Sequence, residues 1–445
     1  MNKDSKVTKP LLIKDGRIID PGQGIDRIGS ILVAEGKISW LENGNPEPLP
    51  SEYDILTADG MIVCPGFIDL HCHLREPGFE NKETIATGTK AAAKGGFSTI
   101  CCMPNTSPPL DNPESIRYVI DKAEKAGNCR VIPIGCITAG REGKELSPMK
   151  EMADTGAAGF SDDGDTVMSN ELMLQALQTS NETGLPVIDH CEHADMVKGG
   201  VMNQGAVSEK LTLKGMTSAA EDVIVERDIE LAEKAGGHLH IAHVSTTESV
   251  NIIRRAKAAG IPVTAEVTPH HLLLTDETIT GSNTNSKVNP PLRTENDVAA
   301  LIAGLNDNTI DIIATDHAPH TSAEKQQSFN KAPFGISVFE TALGSLMKLV
   351  HEGKLPLATL ISKLTCEPAR IISKRMENTG ALKVGAVADL TIFHPTHEWL
   401  VDTDDFVSKG INTPFAGARL KGKVMATMYN GRFSYKDKGV KVKSN

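Results

Sequence analysis

The chain has 445 residues, of which 46 are basic and 57 acidic, for a net charge of −11 at pH 7. That length suits one large core with a smaller companion domain. A negative balance without any Lys/Arg cluster argues against nucleic acid or an anionic membrane surface, and favours small polar substrates or protein partners. No apolar run approaches the ~20 residues of a membrane span, and the N-terminal "MNKDSKVTKPLLIKDG" lacks the apolar core of a signal peptide, so the chain reads as cytoplasmic. Its eight cysteines include no CxxC pair and lie mostly in apolar runs, as buried thiols of a reducing compartment do.

In chain order, the first segments are "LLIKDGRIID", "GSILVAEGKISWL" and "YDILTADGMIVC". Their period-two alternation and their Asp-Gly or Glu-Gly turns predict hairpins. The far end, "GALKVGAVADLTIFHP" then "GKVMATMYNGRFSY", has the same texture with an Asn-Gly turn. The two ends are therefore expected to build one small β-sandwich from residues 1–64 and 379–445. Between them, residues 65–378 read as short apolar strands, each followed by a helix-like stretch. The strands fall at 67–71, 98–105, 130–137, 157–163, 186–192, 238–245, 262–270 and 310–317. Eight strand–helix units predict a (β/α)8 TIM barrel, an α/β fold.

In such a barrel the chemistry gathers at the C-terminal strand ends, above packed layers of core. Here the first strand ends in His71 and His73, the fourth in Asp162 and Asp163, the fifth in His190, the sixth in His243 and the eighth in Asp316. Imidazole nitrogens and carboxylate oxygens suit zinc and similar divalent ions. A single strand-end histidine is ordinarily a hydrogen-bonded structural residue, but five coincident polar strand ends point to a metal site. Histidines spaced i, i+2 share a face, so His71 and His73 are expected to face the barrel axis and Cys72 the helices. Asp69 is expected below the histidines, placed to orient a ligand. Asp162 and Asp163 face opposite sides, so only one can reach the axis, and the pattern does not choose between them. His238, His240, His270 and His271 read as partners of ligands or as buried polar groups. His351, His394 and His397 lie outside the pattern, at the surface.

The motifs "PGFIDLHCHLREPG", "KETIATGTKAAAKGGFSTICCMPNTSP", "GFSDDG", "IDHCE", "IAHVST", "VNPPLR" and "IATDHAPH" follow in this order. With them nearly the whole chain resembles the amidohydrolase superfamily and, within it, the class I dihydroorotases. HxH alone is a moderate signal, whereas the full set is highly specific. The resemblance implies a zinc (Zn2+) enzyme that interconverts N-carbamoyl-L-aspartate and L-dihydroorotate in pyrimidine synthesis. It implies His71 and His73 as ligands of one metal, His190 and His243 as ligands of a second, and Asp316 as the last ligand and the catalytic proton-transfer group. Many superfamily members bridge the two metals with a carboxylated lysine on the fourth strand, where this sequence has Asp163. For the substrate it implies Arg75 and Asn105 at the carboxylate, and His73, Asn289 and His320 as further contacts. Phe334 with Gly335 would supply a backbone contact from a mobile loop.

In the hydrolytic direction Asp316 would take the proton of the attacking water and pass it to the departing amide nitrogen. Arg75 suits a planar carboxylate because its guanidinium binds both oxygens at once. The polar, Gly-containing stretch 320–341 after the eighth strand reads as a lid over a small substrate. Two rival readings stand beside this one: another cyclic amidase of hydantoinase or allantoinase type, and a non-catalytic dihydroorotase-like scaffold acting beside aspartate transcarbamoylase. The cyclic amidases usually keep the bridging lysine, and the set of Arg75, Asn105 and Asn289 favours an acidic substrate. The complete ligand set argues against a scaffold. The resemblance leaves open whether one or two ions bind per subunit and whether the chain forms a homo-oligomer.

Overall fold

The computed structural model describes residues 9–42, 44, 48–377 and 379–445. The expected domain boundary at 378 and the first eight residues lie outside that set. Strands from both ends of the chain form one nine-stranded sheet. The main path runs through Arg432–Lys436, Arg419–Tyr429, Leu390–Leu400, Ile62–Pro65, Leu11–Asp20, Ile25–Ala34 and Lys37–Glu42. The sheet forks at Leu11–Asp20: residues 11–14 pair with Asp54–Thr57, and residues 17–18 pair with Ile62–Pro65. Asp54–Thr57 in turn pairs with Val442–Ser444. Both arms bury Ile13, Ile31, Leu56, Val63, Ile392 and Met428 in a shared apolar cluster, so the expected sandwich is one sheet that branches around its own core. The predicted turns at Glu35-Gly36 and Asn430-Gly431 place both residues at positive φ, the geometry that suits the twist of two-residue hairpins.

The barrel strands are Phe67–Cys72, Phe97–Cys102, Arg130–Pro133, Val187–Asp189, Leu239–Ile241, Val263–Val267 and Ile312–Ile313. The fourth expected strand is extended chain that bridges both neighbours at Phe160 alone. Closure comes where the eighth strand meets the first: Asp316 N donates to His71 O at 2.9 Å and His73 N to His317 O at 2.8 Å. Most strands stop several residues short of the expected ends. His71 lies within the first strand, whereas His73, Asp163, His190, His243 and Asp316 stand on loops just above the ladder, where backbone turns aim them. His243 has φ +32° and Asp316 φ +45°, conformations that non-glycine residues rarely adopt and that gather at functional sites.

Ile68, Leu70, Cys101, Ile132, Ala158, Ile188, Ala242 and Ile312 fill the barrel interior, a cluster drawn from every strand but the seventh. Cys72 instead joins Ile85, Ala91 and Cys102 in the layer between strands and helices. Its thiol donates to Cys101 O at 3.2 Å. At the opposite end from the histidines, Phe67 packs against both Phe97 and Phe393, so the terminal sheet buttresses the barrel away from the site. Among the described residues no helix is long and apolar enough to cross a membrane.

Candidate metal and substrate site

His71, His73, Asp163, His190, His243 and Asp316 converge, all buried, at the C-terminal end of the barrel. Asp163 is the shared member: it forms one ligand-like group with His71 and His73, and a second with His190 and His243. Its Oδ1 lies 3.4 Å from His71 Nε2, 3.5 Å from His243 Nε2 and 3.8 Å from His190 Nδ1, while Oδ2 lies 3.6 Å from His73 Nε2. Bonds of about 2.0–2.1 Å around a tetrahedral ion place neighbouring ligand atoms about 3.3 Å apart, close to these separations. Asp316 Oδ1 completes the first group, 3.0 Å from His73 Nε2 and 3.7 Å from His71 Nε2.

The donor set fits a cation. His71 Nε2 and Asp163 Oδ1 are buried, face each other and have no hydrogen-bond partner. Burial opposes charge on both, yet the opposite charges prevail. Asp163 and Glu266 hold the His71 ring well above its usual pKa, and the histidines hold Asp163 well below the carboxylate range. Asp316 is likewise held down against its burial, first by its hydrogen bond with His73. Carboxylates held in their charged form, and drawing a proton onto His71, make a site where a divalent cation can take that proton's place.

The neighbouring residues sort the doubtful aspartates. Asp162 turns away from the axis: its Oδ1 accepts from Ile137 N at 2.9 Å and Thr138 N at 3.1 Å, and its Oδ2 accepts from the Thr138 hydroxyl. Asp69 accepts from Thr315 N and Thr315 Oγ1, both at 2.7 Å, so it orients the chain entering Asp316 rather than a histidine ring. His271 is structural, between Thr268 Oγ1 at 2.7 Å and Pro290 O at 2.9 Å. His240 meets Thr264 and Glu266.

Glu266 is the residue that sequence reasoning missed. His71 Nδ1 donates to its Oε1 at 2.6 Å, which turns His71 Nε2 toward Asp163. Although burial alone would raise it, His71 and His240 bring the Glu266 carboxyl down to about 2. Glu192, also unforeseen, stands 3.9 Å from His190 Nε2. A signal for Glu266 was present: Thr264 and Glu266 alternate through "PVTAEVTPH" on the face where the other strands carry apolar interior residues.

Of the expected substrate residues, Asn105 is engaged in the cluster itself. Its Oδ1 lies 2.9 Å from His73 Nδ1, and its Nδ2 lies 3.4 Å from Asp163 Oδ2. Asn289 Nδ2 lies 3.4 Å from His190 Nε2, with its Oδ1 buried and unpartnered. Arg75, at φ +61°, puts Nη2 3.3 Å from His320 Nε2. Burial, then the Arg75 and Lys82 cations, push the His320 pKa down and keep the ring neutral. The Lys82 ammonium lies 3.5 Å from Nδ1, which assigns the ring proton to Nε2, and Nε2 donates to Phe334 O at 2.7 Å. Gly335 sits at φ +121°, where a Cβ would lie 2.7 Å from Ala318 Cβ and 3.2 Å from His320 Nε2, so only glycine fits. The stretch expected as a lid is thus packed against the site at Phe334 and Gly335.

Comparison with known proteins agrees with this geometry. Residues 60–249 match the family model described as dihydro-orotase-like. The chain is 49% identical over 425 residues to a dihydroorotase of Citrifermentans bemidjiense, covering 96% of this chain and 99% of the relative. It is 48% identical over 432 residues to a dihydroorotase of Pelotomaculum thermopropionicum, covering 97% and 100% respectively. Among solved structures, the L-hydantoinase of Arthrobacter aurescens superposes with a TM-score of 0.85 at 23% identity, covering 98% of both chains. A D-hydantoinase from Thermus sp. gives 0.81 at 24% identity, covering 96% of this chain and 95% of that one. The hydantoinases share the architecture alone, whereas identity near one half over almost the full length carries the lineage: this chain belongs to the dihydroorotase family.

Proposed function

We propose that this chain is a zinc-dependent dihydroorotase, a cyclic amide hydrolase that closes N-carbamoyl-L-aspartate to L-dihydroorotate with loss of water, and reopens it. The observation that carries this reading is Asp163, an aspartate shared by two histidine sets, with the cationic Arg75 lying beside His320. An aspartate at the bridge and a carboxylate-binding arginine suit the acidic ring of dihydroorotate better than an uncharged hydantoin.

In this reading His71, His73, Asp163 and Asp316 hold one zinc ion, and Asp163, His190 and His243 hold a second. The bound zinc supplies Lewis acidity to the ring carbonyl and acidifies water toward neutral pH. Asp316 accepts the proton of the attacking water during hydrolysis and delivers it to the departing amide nitrogen. In the biosynthetic direction it removes the proton from the carbamoyl nitrogen. Arg75 binds both oxygens of the substrate carboxylate in one plane. Asn105, Asn289, His73, His320 and the Phe334–Gly335 backbone complete the substrate contacts. A cytoplasmic site of action suits the eight free, buried thiols.

The test is to assay the purified protein with dihydroorotate, hydantoin and allantoin side by side. The proposal expects turnover of dihydroorotate alone at a substantial rate. Preference for either neutral ring would replace it with the cyclic amidase reading, and less than stoichiometric zinc after careful purification, with no turnover, would replace it with the scaffold.

A further inference from the structure

The loop after the eighth strand is tied down by two buried lysines. Lys287 is 2% exposed and Lys325 5% exposed. The Lys287 ammonium donates to Phe329 O and Ala332 O, each at 2.7 Å, and to Asn330 O at 3.4 Å. The Lys325 ammonium donates to Pro333 O and Gly335 O, each at 3.0 Å. Lys287 also lies 4.5 Å from the centre of the Phe334 ring, within cation–π range. Its own carbonyl accepts from Gly335 N at 2.9 Å, so it grips the segment from both the side chain and the main chain.

This arrangement is expensive for folding alone. Carbonyls turned inward along an irregular segment must find donors, but a buried ammonium without a carboxylate partner costs more than an apolar side chain of the same shape. Burial accordingly pushes the Lys287 pKa down to about 8, and that of Lys325 to about 7. What the two ammonium groups obtain is a fixed path for Phe329 to Gly335. That path sets Phe334 O on His320 Nε2 and presses Gly335 against Ala318 and His320.

We propose that Lys287 and Lys325 are positioning residues for the substrate: by fixing five main-chain carbonyls between Phe329 and Gly335 they hold this segment as a preformed wall of the pocket beside Arg75 and His320. A preformed wall lowers the ordering cost of binding, so the lysines act on affinity rather than on proton transfer. The proposal rests on the reading that His320, Phe334 and Gly335 contact the substrate.

The test uses the metal-loaded enzyme with Lys287→Met and Lys325→Met, and His320→Ala as reference. Expected are unchanged metal content, faster amide hydrogen exchange confined to the segment around 326–337, a KM for dihydroorotate raised about tenfold, and a kcat within about threefold. Lys287→Gln and Lys325→Gln, which keep a donor, should fall between and serve if a Met variant does not fold. Faster exchange with an unchanged KM would make the lysines structural only and overturn the proposal, as would unchanged exchange. If His320→Ala raises KM and the lysine variants do not, the proposal alone fails. If His320→Ala leaves KM unchanged, the substrate reading of this wall fails and takes the proposal with it.

Discussion

The Glu266 carboxylate lies 2.6 Å from Nδ1 of His71, behind the ring nitrogen that faces Asp163. It also accepts from His240 Nε2 at 3.2 Å and from His243 N at 3.2 Å, so one acid fixes the ring of one candidate ligand and the backbone of another. Replacing it by Gln keeps the shape and removes the charge. Glu266→Gln is expected to fold and to bind zinc about 10- to 100-fold more weakly, measured by competition with a chelator. An unchanged affinity would reduce Glu266 to a buried structural group.

Asp316 combines a position 3.0 Å from His73 Nε2 with a strained backbone at φ +45°. Asp316→Asn retains a coordinating oxygen but loses the basic one. Metal content should stay largely intact while turnover falls by a factor on the order of 100 to 10,000, the range for lost general acid–base catalysis. Near-normal rates in this variant would remove Asp316 from the proton-transfer role.

The adjacent pair Asp162 and Asp163 should separate cleanly. Asp162→Asn keeps an oxygen for Ile137 N and Thr138 N but sets an amide N–H where the Thr138 hydroxyl found its acceptor, so it should cost about 1–3 kcal/mol of stability in denaturant titrations with zinc retained. Asp163→Asn should lose zinc from both histidine sets while the fold persists, as read by metal analysis and circular dichroism. Equal zinc loss in the two variants would contradict the assignment.

Cys72 packs on the helix side of the strand, with its thiol on Cys101 O. Cys72→Ala should retain zinc and activity and lose about 1 kcal/mol from the small void left behind. Loss of zinc in this variant would return the cysteine to the metal site.

The sequence carried the barrel, the terminal sheet and the ligand ends: His71 and His73, two apart, share a face that Cys72 opposes, although Ile68 and Leu70 also face the interior, so the alternation reverses at the slip between Asp69 and Cys72. It could not choose between Asp162 and Asp163, since the chain there bridges its neighbours at Phe160 alone and alternation does not settle its outcome. Asp69 was expected to orient a ligand from the histidines' face; the pairing slips between Asp69 and Cys72, and its carboxylate meets Thr315, next to Asp316. Glu266 escaped notice inside an apolar strand, although its inward register with Thr264 was readable. Lys287 and Lys325 were invisible because loops have no period, and the value of a buried lysine depends on which distant carbonyls turn toward it.

The central claim is a zinc centre bridged by an aspartate that acts on dihydroorotate. Its most direct test is to strip the protein of metal and titrate zinc back in bicarbonate-free buffer while following dihydroorotate hydrolysis. The account predicts that activity returns with zinc alone and levels off once both histidine sets sharing Asp163 are filled, near two equivalents per chain. Activity that returned only when bicarbonate accompanied zinc, or that did not return at any zinc level, would contradict it.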